Sequence, residues 1–302
     1  MKKPNFIIMG FPKCGSTALH YYLDAHPEIY MPNQKELHYF TQPYISKLNQ
    51  GEGDVAAKEG QIKTTHAYFN LFKGVKGEKA IGETSPSYIN YPDSFKNINK
   101  HLSNPKVIIL IRDPVKRAYS NYLHLLREQR ETKNFSQSLE LEDKRKEEGY
   151  SDFWYYKFNS FYYDKIIKAK EAFTDVLILT QEELNKNTKK TIATAYRFLE
   201  VDDGFTPANF NNKYNKGGLY KKNTITNFVF RQGKIKSLIK KAFNITPWMK
   251  SIKNNIISRY QYKPDPIDSD LQNKLIKLFK KDVLKITEIG VDTSLWDDNF
   301  FK

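Results

Sequence analysis

Cysteine is nearly missing from this sequence: Cys14 is the only one in 302 residues. No intramolecular disulfide can form, so nothing in the covalent chemistry calls for an oxidising compartment, and a reducing cytoplasm suits the chain. Long apolar runs are missing too. The strongest, Val107-Ile108-Ile109-Leu110-Ile111, falls far short of the roughly 20 residues that cross a bilayer. Met1-Lys2-Lys3-Pro4 is followed by only four apolar residues, so neither a secretory leader nor a membrane span is expected. Acidic residues are absent between Asp203 and Asp265, a stretch that carries lysines and arginines from Lys213 to Lys263. Internal repeats and other low-complexity tracts are also lacking.

What is present is apolar bulk and positive charge. Aromatic residues make up 14% of the chain, which excludes a disordered polymer, and the length fits one α/β domain over residues 1–302. A formal net charge of +15 favours anionic partners: nucleotide phosphates, acidic glycans, nucleic acid or anionic lipid. Charge by itself does not choose among these.

Short apolar runs alternate with helical patterns. Phe6-Ile7-Ile8-Met9 stops at Gly10 and gives way to a helical pattern over 16–26, with Leu19, Tyr22 and Leu23 on one face. The run ending at Ile111 passes through Arg112-Asp113-Pro114 into a helical pattern over 115–131. A third run, Val176-Leu177-Ile178-Leu179, lies between helical stretches at 162–173 and 189–199. Continuous apolar strands separated by helices are what a parallel sheet covered on both faces requires, so a three-layer α/β fold with a central parallel sheet is expected. Residues 41–79 and 127–152 are polar and charged, and read as insertions or solvated helices at the sheet edge without a catalytic motif. The stretch 269–289 places Leu271, Leu275, Leu278, Phe279, Ile286 and Ile289 at helical spacing and ends at Gly290, a packing helix with its terminator.

Gly10-Phe11-Pro12-Lys13-Cys14-Gly15-Ser16-Thr17 stands where a strand meets a helix, so backbone N–H groups and a helix amino terminus converge on one point and favour an anion. A nucleoside-triphosphatase loop reads G-x-x-x-x-G-K-[ST], but here Ser16 occupies the lysine position and the lysine comes three residues earlier. Lys13 is therefore suited to a single phosphate whose leaving oxygen gathers charge, rather than to a metal-bound triphosphate.

At this loop the chain resembles the sulfotransferases that use 3′-phosphoadenylyl sulfate (PAPS). A second signature of that family begins where the central strand ends, at Ile111-Arg112-Asp113-Pro114-Val115-Lys116-Arg117-Ala118-Tyr119-Ser120. The resemblance implies a P-loop NTPase-like fold, with PAPS as co-substrate and no metal required. It implies that Lys13, Cys14, Gly15, Ser16, Thr17 and Ala18 hold the 5′-phosphosulfate and that Arg112 and Ser120 hold the 3′-phosphate. An arginine's planar fork and a hydroxyl donor suit that second task. Asn215-Lys216-Gly217-Gly218-Leu219-Tyr220-Lys221-Lys222 is similar to the late loop that closes over the 3′-phosphate, which implies Lys221 and Lys222. The ending Gly290-Val291-Asp292-Thr293-Ser294-Leu295-Trp296 resembles the family's ending.

Lys35-Glu36-Leu37-His38-Tyr39-Phe40 resembles a segment of the heparan-sulfate-type branch in which the glutamate is the base. Sulfuryl transfer to an alcohol needs in-line attack, a proton acceptor and cationic help for the leaving phosphate. Glu36 is assigned as base, Lys13 as the cation, and His38 as the group that orients the acceptor or shares the proton; His38 is also the rival base. Two departures weaken the inference to a particular substrate: Thr41 stands where an aspartate is common, and Thr84 replaces a lysine in Gly82-Glu83-Thr84-Ser85-Pro86-Ser87-Tyr88. Glu83 and Tyr88 read as wall residues of the site.

Residues 228–257 interleave lysines with Phe, Leu, Ile and Trp248, as an amphipathic helical region does. Such a region packs its apolar face by default; peripheral membrane contact through it is carried as an alternative beside the cytoplasmic location. Basicity and the Glu-x-His segment point to a glycan or glycolipid acceptor, and no nucleic-acid partner is expected. A cysteine-phosphatase reading of Cys14 fails because His20 stands where the arginine is needed, and Cys14 reads as a small buried residue. A P-loop kinase and a non-catalytic polyanion binder using 204–264 remain the competing functions. Magnesium-dependent ATP turnover marks the first, and nucleic-acid binding with a steep salt dependence marks the second.

Overall fold

The computed structural model describes residues 2–208, 210, 219–220 and 261–302. Five strands form one parallel sheet: β1 (Phe6–Gly10), β2 (Ile29–Tyr30), β3 (Ala80–Thr84), β4 (Lys106–Ile111) and β5 (Val176–Thr180). Their order is β2-β3-β1-β4-β5, with Ile8 level with Thr84 on one side and with Ile108 on the other. Phe6, Ile7, Ile8 and Met9 and the run from Val107 to Ile111 are wholly buried. Their continuous apolar character follows from this, because both faces of the inner strands are covered.

Helices cover the faces. After β1 comes α1 (Ser16–Asp24), which buries Leu19, Tyr22 and Leu23 as its spacing predicts. Between β2 and β3 lie three short helices, α2 (Gln42–Ile45), α3 (Asp54–Ala57) and α4 (Thr65–Asn70). Then α5 (Phe95–Leu102) leads into β4, and α6 (Pro114–Arg127), α7 (Phe135–Glu140), α8 (Glu142–Glu147) and α9 (Tyr163–Ala172) lead into β5. After β5 follow α10 (Gln181–Lys186), α11 (Thr188–Phe198) and α12 (Ser269–Glu288), which ends before Gly290 at φ +87°. Leu219–Tyr220 pairs antiparallel with Gln261–Tyr262. Layers of helix on a parallel sheet are the expected α/β architecture.

The structure departs from the sequence reading at three points. Strands β2 and β3 fall inside stretches that carry no strand pattern: β3 reads Ala-Ile-Gly-Glu-Thr, and its glycine exists because a Cβ at Gly82 would lie 2.1 Å from the ring of Phe6 on β1. The segment 127–152 is not solvated throughout. Arg145 meets Glu131 with two hydrogen bonds at 2.7 and 3.0 Å, and Arg130 meets Asp54, all buried. Third, Leu278 is exposed, so α12 packs through Leu275, Ile276, Phe279, Val283 and Ile286 instead.

The sheet order places β1 and β4 side by side at the point where the chain's path across the sheet reverses. A crevice opens there at the carboxyl ends of the strands, the usual ligand site of open α/β sheets. The turn after β1 carries Lys13, and the turn after β4 carries Arg112.

Candidate active site

The turn after β1 is built to face an anion. Gly15, at φ +96°, caps α1, and Lys13 also has left-handed backbone at φ +72°. This curl leaves the N–H groups of Lys13, Gly15, Ser16 and Thr17 without an acceptor among the described residues. Unpaired amides at a helix amino terminus attract negative charge. The turn is held from below by Arg117, whose fully buried guanidinium donates to the Pro12 carbonyl at 3.1 Å, to the Tyr156 carbonyl at 3.1 Å and to Asn121 Oδ1 at 2.5 Å.

Lys13 is half-buried. Desolvation and the nearby Arg127 guanidinium lower its pKa to about 8, against an opposing pull from Glu36. At neutral pH it remains mostly charged. Cys14 is the one residue of the 13–18 loop that does not line the cleft. Its thiol is buried against the Pro12 carbonyl at 3.8 Å and is pushed up to about 12 by desolvation, which makes it an inert packing group.

Arg112 leaves β4 just before α6. Asp113 caps that helix by accepting from Val115 N at 3.0 Å and Lys116 N at 3.1 Å, and Pro114 sits at the first helical position. The Arg112 carbonyl accepts from Tyr162 Oη at 2.8 Å, while its guanidinium has no carboxylate partner among the described residues and lines the cleft. Ser120 lines it as well, on α6.

The opposite wall is the segment 36–40. Glu36 (φ +55°) and His38 (φ +51°) both hold left-handed backbone, uncommon for residues with a Cβ and found where surrounding contacts enforce it. Those contacts come from the chain after β3. Glu36 N donates to the Thr84 carbonyl at 2.7 Å, Leu37 N donates to Ser85 Oγ at 3.1 Å, and His38 Nδ1 pairs with Ser87 Oγ at 2.8 Å. Burial lowers the His38 pKa although Glu36 and Asp152 oppose the shift, so the ring is neutral at pH 7. Thr84 turns its hydroxyl to buried His20 Nδ1 at 2.9 Å and is not a cleft residue; Glu83 and Tyr88, expected as walls of the site, are fully buried and do not line the cleft either.

A cleft of about 1530 Å³ joins the two walls. It brings together Lys13, Gly15, Ser16, Thr17, Ala18, Glu36, His38, Arg112 and Ser120, residues separated by more than a hundred positions. Lys221 and Lys222 lie outside the described residues, as does the stretch 228–257. Near where that region rejoins, residues 263–267 line the cleft, and Tyr119 Oη donates to the Asp265 carbonyl at 2.6 Å. Among the described residues, no cluster of His, Cys, Asp or Glu could hold a metal ion and no helix is long and apolar enough to cross a membrane.

Several cleft residues escape the motif reading. Lys35 donates to Thr17 Oγ1 at 2.6 Å and so ties the segment 36–40 to the anion turn. His124 and Arg127 follow Ser120 by four and seven residues, helical spacing that places all three on one face of α6; that signal was available. Arg127 donates to His124 Nδ1 at 2.8 Å. Burial, with Lys13, Arg127 and Arg130 nearby, pushes the His124 pKa down to about 2, so its ring is neutral.

Fold and cleft together define a P-loop-like α/β protein with an anion site. The profile described as "Sulfotransferase family" matches residues 4–207, and the chain belongs to that family of enzymes. It is 37% identical over 119 residues to the membrane-associated sulfotransferase kil1 of Dictyostelium discoideum, covering 39% of this chain and 22% of that protein. Human carbohydrate sulfotransferase 15 is 28% identical over 166 residues, covering 45% of this chain and 30% of that protein. The chain thus spans less than a third of either curated relative. A crystal structure of a sulfotransferase from Alicyclobacillus acidocaldarius superposes with a TM-score of 0.77 at 28% identity, covering 98% of this chain and 99% of that one.

Proposed function

We propose that this protein moves a sulfuryl group from PAPS to a hydroxyl, or an amine, of a carbohydrate or glycolipid. The observation that carries the reading is the convergence of two unlike walls on one cleft: unpaired amides with Lys13, Arg112 and Ser120 on one side, and Glu36 with His38 on the other. The first wall suits the phosphates of the donor. The second suits an acceptor that must lose a proton.

In this mechanism the acceptor oxygen attacks sulfur in line as the bond from sulfur to the bridging phosphate oxygen breaks. Glu36 takes the acceptor's proton and Lys13 stabilises the charge that collects on the departing phosphate. His38, neutral and anchored on Ser87, orients the acceptor or shares that proton. Arg112 and Ser120 bind the 3′-phosphate. The scheme invokes no metal: Lys13 supplies the positive charge at the leaving phosphate. Residues 1–302 act as one domain in this reading.

The acceptor class draws on the name of the human relative, a carbohydrate sulfotransferase, and on the net charge of +15. The name of the Dictyostelium relative supports work at a membrane surface, for which a cytoplasmic, peripherally bound enzyme acting on a glycolipid fits the single cysteine. The test is transfer of label from 35S-PAPS across a panel of polysaccharides, glycolipids and phenols. Transfer to a saccharide is expected from the wild type, with a loss of at least about 100-fold in Lys13→Ala. Near-normal sulfation by that variant would remove the turn from the mechanism.

A further inference from the structure

The mechanism leaves one fully buried carboxylate unused. Glu83, on β3, is 0% exposed and no cation contacts it among the described residues. It accepts three hydroxyl hydrogens: Tyr68 Oη at 2.7 Å and Tyr88 Oη at 3.2 Å on Oε1, and Ser85 Oγ at 2.7 Å on Oε2. A buried ionised group without a counter-charge needs such a full set of donors to persist.

Two of the three hydroxyls face both ways. Ser85 Oγ also accepts the Leu37 amide at 3.1 Å, and Tyr88 Oη accepts the Phe40 amide at a longer 3.5 Å. A hydroxyl has one hydrogen to give. With that hydrogen committed to Glu83, its lone pairs are turned to the backbone of 37 and 40. The chain of donation therefore runs from amide to hydroxyl to carboxylate. Glu36 and His38 flank Leu37, and both hold left-handed backbone that needs outside support.

We propose that Glu83 is a positioning residue for the proposed reaction: ionised, it orients Ser85 and Tyr88 so that they fix the segment bearing Glu36 and His38. The inference rests on the reading of those two residues as the proton-accepting wall. It makes the site sensitive to pH through a group that never touches the acceptor. Burial raises the Glu83 pKa to about 7 against the opposing pull of its three hydroxyl donors. Once protonated, the carboxyl must donate to one of those hydroxyls and competes with the Leu37 amide for the lone pairs of Ser85. The groups that face it are Tyr68 from α4 and Tyr88 from the turn after β3, with Tyr39 stacked on Tyr68 at 4.6 Å. Tyr68 and Tyr88 are pushed well above their usual range by burial and stay neutral. His38, which flanks Leu37 and could mimic the effect, titrates below its ordinary value because it is buried.

The experiment follows the backbone amides of Leu37 and Phe40 by NMR in the 15N-labelled full chain from pH 5.5 to 8.5, and needs no acceptor. In the wild type, both signals should move with one midpoint near 7, Leu37 the more strongly; Glu83→Gln should abolish that transition. Ser85→Ala should release Leu37 from it while Phe40 keeps it. Tyr68→Phe, which removes a donor to Glu83 that does not reach the segment, should move the shared midpoint upward while both amides still follow it. The kinetic counterpart uses 35S-PAPS with the saccharide that accepts label from the wild type. There, at pH 8.5, above the transition, Ser85→Ala should lower kcat about tenfold with the dissociation constant of adenosine 3′,5′-bisphosphate within twofold of wild type, and Tyr68→Phe should change kcat less than threefold. The proposal is overturned if no shared transition occurs, if Ser85→Ala leaves the Leu37 response intact, or if Tyr68→Phe costs as much kcat as Ser85→Ala. A wild type that shows the transition but transfers no sulfate leaves the Glu83 network standing and sinks the sulfotransferase mechanism instead.

Discussion

Lys13, Glu36 and His38 all hold positive φ without being glycine, and all three line one cleft. Local strain of this kind is kept only where neighbours over-determine the backbone. For Lys13 the neighbour is the fixed turn above Arg117; for the other two it is the chain from Thr84 to Ser87. The two candidate bases differ in what they offer. His38 is buried, neutral and tied to Ser87 through one ring nitrogen, whereas Glu36 lies within electrostatic reach of both Lys13 and Lys35. Glu36→Gln should therefore lower kcat by about 100-fold or more, in the usual range for a lost general base, with bisphosphate affinity little changed. If His38→Ala proves the worse lesion in the same assay, the base is the histidine and Glu36 becomes its electrostatic partner. Cys14 and Ser16 were legible at this scale, because spacing alone rules out a phosphatase nucleophile and a triphosphatase lysine.

At the scale of elements, the legible strands are those whose apolar runs are unbroken. β1, β4 and β5 each read as continuous aliphatic stretches, so the turns that follow them, with Lys13 and Arg112, could be placed from sequence. β3 could not, since Gly82 and Glu83 interrupt its pattern for reasons that lie in other elements. The glycine makes room for Phe6, and the glutamate collects hydroxyls from α4 and from the turn beyond. Gly82→Ala should accordingly destabilise the fold by about 1–3 kcal/mol through overpacking against that ring, read as a lower urea midpoint with an unchanged m value. An unchanged midpoint would mean that Phe6 has another place to go. The ion pairs of 127–152 were hidden for a related reason: Arg130–Asp54 joins positions far apart in sequence, and only the fold makes that charge-rich stretch interior.

At the scale of the whole molecule, the sheet order turns two distant turns into one site. β1 and β4 are neighbours with their carboxyl ends at the same edge, so an anion held after β1 also faces Arg112 after β4. The guanidinium of Arg112 forms no ion pair among the described residues, although Glu182 lies within electrostatic reach, and the Lys13 turn keeps four amides unpaired. The chain as a whole adds a charge of +15, which draws anions toward the cleft without choosing among them. In the proposed function, choice falls to the spacing of the two phosphate subsites and to the lysine that sits ahead of its triphosphatase position. Isothermal calorimetry of adenosine 3′,5′-bisphosphate against wild type and Arg112→Ala, each with and without magnesium, reads that choice directly. The account predicts one site per chain, indifferent to magnesium, and weakened at least about tenfold by the arginine substitution. Failure of the wild type to take up the bisphosphate, alongside tight binding of magnesium–ATP, would contradict it.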